Sequence, residues 1–406
     1  MDNRVALPFP ASVANMPRPA CDLFAALARL RCGGLEIVAP GGRAFAFSGA
    51  LTGPAGRIEL RDWEVCGEIL RRGEIGLADT YLAGRWTTPD LAAVLWTAAM
   101  NEGALDVALH GRVLSRAIHR LCRLFGVDVR RGSERNVHAR YDLGSGFYQC
   151  WLDPTMTYSS GLFADDVSRS LEEAQIAKYE RILRLLDPAP GSWILDIGCG
   201  WGGFALHAAR TRGCKVRGIS ISRRQLELAQ SRAQDAGLSE RVTFELQDYR
   251  GLRGTYDAVV SIEMYEVLGE RGWPAYFRAI RERLRPGGAA VVQSIAVADA
   301  RFDWYRSGTD FIQQFIFPRR MLASPSALRE RAERAGLTVR SVHAFGLDYA
   351  ETLRRWRERF NQAWPEIRAQ GLDERFCRLW NFYLCYCEAG FRSRNTDVLQ
   401  MELVSG

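Results

Sequence analysis

Five residues in one short run, the aspartate and four glycines of Asp196-Ile-Gly198-Cys-Gly200-Trp-Gly202-Gly203, have the composition of a turn that must fold tightly and let a ligand approach its backbone. Gly198, Gly200 and Gly203 also fit the G-x-G-x-x-G spacing, which serves dinucleotides and other nucleoside-bearing cofactors alike. Forty-odd residues on, Gln247-Asp248-Tyr249 offers a carboxylate that can accept from an adenine amine and a ring that can stack on it. Arg285-Pro286-Gly287-Gly288 offers a second glycine turn before the fifth strand. Ser220-Ile-Ser222-Arg223-Arg224 keeps a nicotinamide dinucleotide phosphate in play, because an arginine there can meet a 2′-phosphate.

These residues need a frame. Trp193–Ile197, Lys215–Ile219, Val242–Leu246, Tyr256–Val260 and Ala289–Gln293 are short β-type runs separated by glycine turns and helical stretches, which predicts a parallel sheet with helices on both faces. Residues 299–335 and 350–392 are aromatic-rich and helical in pattern. Before them, residues 1–125 read as a small mixed domain, with alternation at Arg57-Ile58-Glu59-Leu60-Arg61 and helical periodicity from Leu91 to Phe125. A polar, basic linker at 126–137 leads into a second domain at 138–406.

The 406 residues are 47% hydrophobic and 25% charged, which is globular material for two or three domains. The longest apolar run, Leu91 to Met100, is half of the roughly 20 residues a bilayer crossing needs, and residues 1–20 lack a secretory pattern. The expectation is a cytoplasmic protein. Ten scattered cysteines and five separated histidines suggest no metal site. A net charge of +7 asks for an anionic partner. Seven arginines fall between Arg112 and Arg135; on a helix Arg112, Arg116, His119, Arg120 and Arg123 share a face opposite Leu114, Ile118, Leu121 and Phe125, the pattern of a helix lying on an anionic membrane surface. An apolar stripe packed on the protein's own body, with the arginines merely solvated, fits the same pattern. Nucleic acid is disfavoured, because Ile262-Glu263-Met264-Tyr265 after the fourth strand is not the Asn-Pro-Pro-aromatic loop such methyltransferases use. A non-catalytic lipid carrier on a cofactor fold is the other competing reading.

Five ordered motifs together resemble the cyclopropane-fatty-acyl-phospholipid synthases and mycolic acid cyclopropane synthases. They are Ala139-Arg-Tyr-Asp-Leu-Gly144, Leu152-Asp-Pro-Thr-Met-Thr-Tyr-Ser159, the 198–203 glycine loop, Ser261-Ile-Glu-Met-Tyr-Glu266 and Phe311-Ile-Gln-Gln-Phe-Ile-Phe-Pro318. Gly73-Glu-Ile-Gly-Leu-Ala-Asp-Thr-Tyr-Leu-Ala-Gly-Arg-Trp86 resembles the N-terminal domain of the phospholipid-acting members. The resemblance implies an α/β fold of the Rossmann-like class I methyltransferase type, a mostly parallel seven-stranded sheet with a helical lipid-covering insertion. It implies S-adenosylmethionine as cofactor, held by Tyr141, Tyr158, Ser159, Gly198, Gly200, Ser220, Gln225, Asp248, Tyr249 and Ile262. It implies bicarbonate as the bound base, caged by Glu266, Gln293, Tyr349 and the backbone at Ser160 and Ile295.

The implied substrate is the cis double bond of an unsaturated phospholipid acyl chain, met by a protein held at the inner face of the membrane, with a homodimer left open. This chain departs from the common pattern at Ser160, Val267, Gln293, Ser145-Gly146 and Arg319-Arg320. Gln293 and Asp310-Phe-Ile312 are most similar to plant-type members, so ring closure to a cyclopropane is the expected outcome, with a methyl-branched or methylene product as the alternative.

Overall fold

The computed structural model describes residues 16–105, 143–318 and 320–405. Tyr141, Arg319 and the arginine-rich 112–135 segment lie outside the described residues. The chain divides into two compact units, Met1–Gly132 with Asp373–Ser393, and Ser133–Leu372 with Arg394–Gly406.

The first unit holds a mixed sheet in the order β2-β1-β3-β4, formed by β1 (Cys32–Val38), β2 (Ala44–Ser48), β3 (Leu51–Leu60) and β4 (Trp86–Thr87). Alternation along β3 buries Ile58 and Leu60 and leaves Arg57 and Glu59 outward. Trp86 is fully buried, and its indole N–H donates to Leu77 O and Thr80 Oγ1, both at 3.1 Å. The Glu374–Arg392 helix belongs to this unit, where Arg378 donates to Tyr81 O at 2.9 Å and the Tyr386 hydroxyl to Glu74 at 2.9 Å. The second domain is therefore not the continuous 138–406 run expected; its own last strand follows this excursion.

The second unit carries seven strands in the order β10-β11-β9-β8-β5-β6-β7. They are β5 (Trp193–Ile197), β6 (Lys215–Ser220), β7 (Val242–Leu246), β8 (Tyr256–Ile262), β9 (Leu284–Val297), β10 (Leu337–Ala344) and β11 (Thr396–Ser405). β5 to β9 pair in parallel, and β11 lies antiparallel between β9 and β10. One face packs Trp273, Tyr276, Phe277, Ile280 and Leu328 against Val259 and Val292; the other packs Ile182, Phe204, Leu206 and Leu226 against Ile194, Val216 and Val260. The strand order reverses at β5, between β6 and β8, so the loops leaving β5 and β8 part and open a crevice at the carboxyl edge. No helix among the described residues is long and apolar enough to cross a membrane.

Candidate active site

The glycine turn after β5 begins the site. Gly198 has φ +82°, and a Cβ there would stand 2.8 Å from Met264 Cγ, so a side chain is excluded twice over. Gly200, at φ +54°, faces open space, with no atom within 4 Å of the point a Cβ would occupy. The Gly203–Arg212 helix starts directly after this turn. At the end of β6, Ser220 Oγ donates to Gln225 Oε1 at 3.0 Å. At the end of β7, Asp248 Oδ1 accepts from the Arg250 backbone N–H and Nε, both at 2.9 Å, and Oδ2 accepts from Arg250 Nη2 at 2.7 Å, which leaves Oδ2 capacity for a further donor. Ile221 and Leu246 are 79% and 51% exposed beside Ser220 and Gln247, an apolar rim on which a purine can rest. Asp196 is fully buried at the base, and burial alone pushes its carboxyl up to about 7. The described residues of the expected cofactor set, Tyr158, Ser159, Gly198, Gly200, Ser220, Gln225, Asp248, Tyr249 and Ile262, lie at strand ends, in the loops or first helical turns after them, or in the 157–161 strap.

The 157–161 strap is tied to the Leu171–Leu186 helix. Gln175 Nε2 donates to Ser159 O at 2.7 Å, and Lys178 Nζ donates to Ser159 Oγ and Gln175 Oε1, both at 2.6 Å. Lys178 is buried, which pushes its ammonium down to about 7 against the attraction of Glu263 and Asp153. Around Tyr158 stands a group of rings: Trp356 at 5.1 Å between centroids, Tyr148 at 5.3 Å and Trp151 at 5.7 Å. Trp356 also meets Tyr349 edge-on at 6.0 Å.

Three of the five groups expected to cage bicarbonate converge, and the group they converge on is a side chain. Glu263 Oε1 accepts from the Ser160 N–H at 3.0 Å and from Gln293 Nε2 at 2.8 Å, while Oε2 accepts from the Tyr349 hydroxyl at 2.6 Å. The other two expected groups pair with each other: Glu266 Oε1 accepts from the Ile295 N–H at 2.5 Å, and from Ser294 Oγ at 3.1 Å. Glu263 was not among the expected site residues. The sequence held one signal for it, a second glutamate three positions before Glu266 at the end of a strand. Its backbone adds another, invisible in sequence: φ is +52°, a left-handed conformation costing a non-glycine residue about 1–3 kcal/mol and typical of functional sites.

Burial, and then repulsion by Glu263, pushes the Glu266 carboxyl up to about 7. The folded state thus holds this proton more tightly than the unfolded chain, and the stability that proton contributes is present below about 4.5, the ordinary value, and lost as pH rises through about 7. Glu266→Gln keeps the acceptor for Ile295 and cannot titrate. Its melting temperature relative to the parent should therefore climb between about pH 4.5 and pH 7, followed by circular dichroism; a difference independent of pH contradicts the assignment.

Residues 129–401 match the family described as mycolic acid cyclopropane synthetase. The chain is 37% identical over 350 residues to the tuberculostearic acid methyltransferase UfaA1 of Mycobacterium tuberculosis, covering 83% of this chain and 80% of that one. It is 33% identical over 351 residues to the cyclopropane-fatty-acyl-phospholipid synthase of Escherichia coli K12, covering 86% and 88%. Among solved structures, the cyclopropane synthase MmaA2 from Mycobacterium tuberculosis superposes with a TM-score of 0.61 at 27% identity, over 68% of this chain and 98% of that one. The mycolic acid cyclopropane synthase CmaA1, solved with S-adenosylhomocysteine, gives 0.60 at 28% identity over 65% and 95%. A crevice built for a nucleoside cofactor, in a fold shared with these proteins, places the chain in the mycolic acid cyclopropane synthetase family as an S-adenosylmethionine-dependent methyltransferase.

Proposed function

We propose that the protein methylates a double-bond carbon in an unsaturated fatty acyl chain of a phospholipid, and that Glu263 receives the proton released as the product forms. The observation carrying this reading is the convergence of Ser160 N–H, Gln293 and Tyr349 on the Glu263 carboxylate. Bound S-adenosylmethionine supplies an electrophilic methyl group. An isolated alkene is a weak nucleophile, so the protein's contribution is to hold it in place and keep water away. Addition of the methyl to one alkene carbon leaves a positive charge on the other. The rings of Tyr158, Trp151 and Trp356 supply faces that favour such a charge. Glu263 then removes a proton; the C–H pair closes a cyclopropane if the proton leaves the new methyl group, or forms a new alkene if it leaves a neighbouring chain carbon.

In this reading bicarbonate is not required, because a tethered carboxylate takes the three donors. Ring closure is the first reading of the product, supported by the relative from Escherichia coli aligned along most of both chains. A branched product is the second, favoured by the 37% identical methyltransferase and by a base fixed to β8 rather than free to settle. Proton NMR of the acyl methyl esters separates them: upfield methylene signals without new vinylic ones establish the ring, and vinylic signals without an upfield pair overturn it. Contact with the membrane is assigned to the basic 112–135 segment, whose charge suits anionic lipid.

Tyr349→Phe removes one of three donors and leaves the ring in place. Turnover should fall by about ten- to a hundredfold, the worth of a hydrogen bond to a charged group, with cofactor affinity unchanged. Steady-state kinetics beside calorimetric cofactor binding checks this; parental turnover removes Tyr349 from the mechanism.

A further inference from the structure

Gln293 meets Glu263 with an amide, and an amide has two ends of opposite polarity. Turned one way its NH2 stabilises the carboxylate; turned the other its oxygen repels it. The direction is set elsewhere. Gln293 Oε1 accepts from Gln400 Nε2 at 2.9 Å, and Gln400 Oε1 accepts from Arg181 Nη1 at 2.9 Å. A guanidinium only donates, so it must face the oxygen of Gln400; Gln400 must then give its NH2 to the oxygen of Gln293, and Gln293 its NH2 to Glu263. No other orientation satisfies all three contacts.

The elements make this chain rigid. Gln293 and Gln400 are partners across the β9–β11 register and both are fully buried. Arg181 lies on the Leu171–Leu186 helix, three residues after Lys178 and six after Gln175, continuing the inward polar stripe that ties the strap. Buried amides between a cation and an anion polarise one another in one sense, which strengthens each bond.

We infer that Arg181 and Gln400 are positioning residues that fix the orientation of Gln293 and so hold Glu263 as a base. The inference rests on the reading of Glu263 as the proton acceptor. Among the described residues their side-chain hydrogen bonds run to each other and to Gln293 and not to the cofactor set, so their effect belongs to turnover and not to binding.

The test uses the full-length enzyme with methyl-labelled S-adenosylmethionine and unsaturated phospholipid vesicles. Gln400→Glu accepts from both neighbours, which turns the Gln293 NH2 away from Glu263; turnover should fall about a hundredfold. Gln400→Leu and Arg181→Met leave Gln293 free to turn and should cost about tenfold, while Arg181→Lys, which keeps charge and donor, should restore activity to within about threefold of the parent. KM for the phospholipid and cofactor affinity should stay within about twofold throughout. Spectra of the enzyme with isotope-labelled glutamine provide a readout without turnover: the Gln293 side-chain amide signals should move in Gln400→Leu. Parental turnover in a folded Gln400→Glu variant overturns the inference, as do Arg181→Lys and Arg181→Met variants equal in activity. Unmoved Gln293 signals overturn it even if the parent proves inactive on phospholipid, whereas moved signals in an inactive parent overturn only the reading of the substrate.

Discussion

Glu263→Gln should lower turnover by about three orders of magnitude while cofactor affinity stays within about twofold of the parent, the effect of deleting a general base and keeping its shape. A glutamine there still fills the space among Ser160, Gln293 and Tyr349 but cannot take up a proton. The informative partner is Glu263→Gly. Glycine accepts the φ of +52° without strain, and removing the side chain leaves three convergent donors with nothing to bind. Those donors suit a small carboxylate or carbonate anion. Added bicarbonate or formate should therefore restore turnover to Glu263→Gly by about tenfold or more and leave Glu263→Gln and the parent unchanged. Rescue is measured as labelled methyl incorporation against anion concentration at constant pH and ionic strength. Parental activity in Glu263→Gln would remove this carboxylate from the chemistry.

Gly200→Val should cut cofactor affinity by more than about a hundredfold with the fold retained. The left-handed φ of +54° costs a β-branched residue about 1–3 kcal/mol, yet a Cβ there meets no protein atom within 4 Å. The branched side chain instead enters the space above the turn that the cofactor needs. Isothermal titration with S-adenosylhomocysteine gives the affinity and a thermal melt confirms folding. Undiminished binding in the folded variant would place the cofactor away from this turn.

The central strands were legible in sequence because each is a short β-branched run bounded by glycine turns, and β5 to β8 fall where those runs lie. β11 was not, since Thr396–Ser405 buries most of its residues on both sides and shows no alternation to read. The Glu374–Arg392 helix has clear helical periodicity, but periodicity does not say which sheet its apolar face will meet, and it joins the first unit. Motif matching found Ser160, Gln293 and Tyr349 as a group. It passed over Glu263, the residue they hold, because a carboxylate at that position gains meaning only from donors 103, 30 and 86 residues away. The Arg181–Gln400 connection spans 219 residues and left no local trace.

The most direct test of the account is transfer of label from methyl-labelled S-adenosylmethionine to the acyl chains of unsaturated phospholipid vesicles, in buffer stripped of bicarbonate and read by mass spectrometry of the released fatty acids. The account predicts acyl chains heavier by one labelled CH2 unit, formed at the same rate when bicarbonate is added back, and none from fully saturated phospholipid. An acyl fraction without label contradicts the proposed substrate, and labelled chains that form only when bicarbonate is supplied contradict Glu263 as the base.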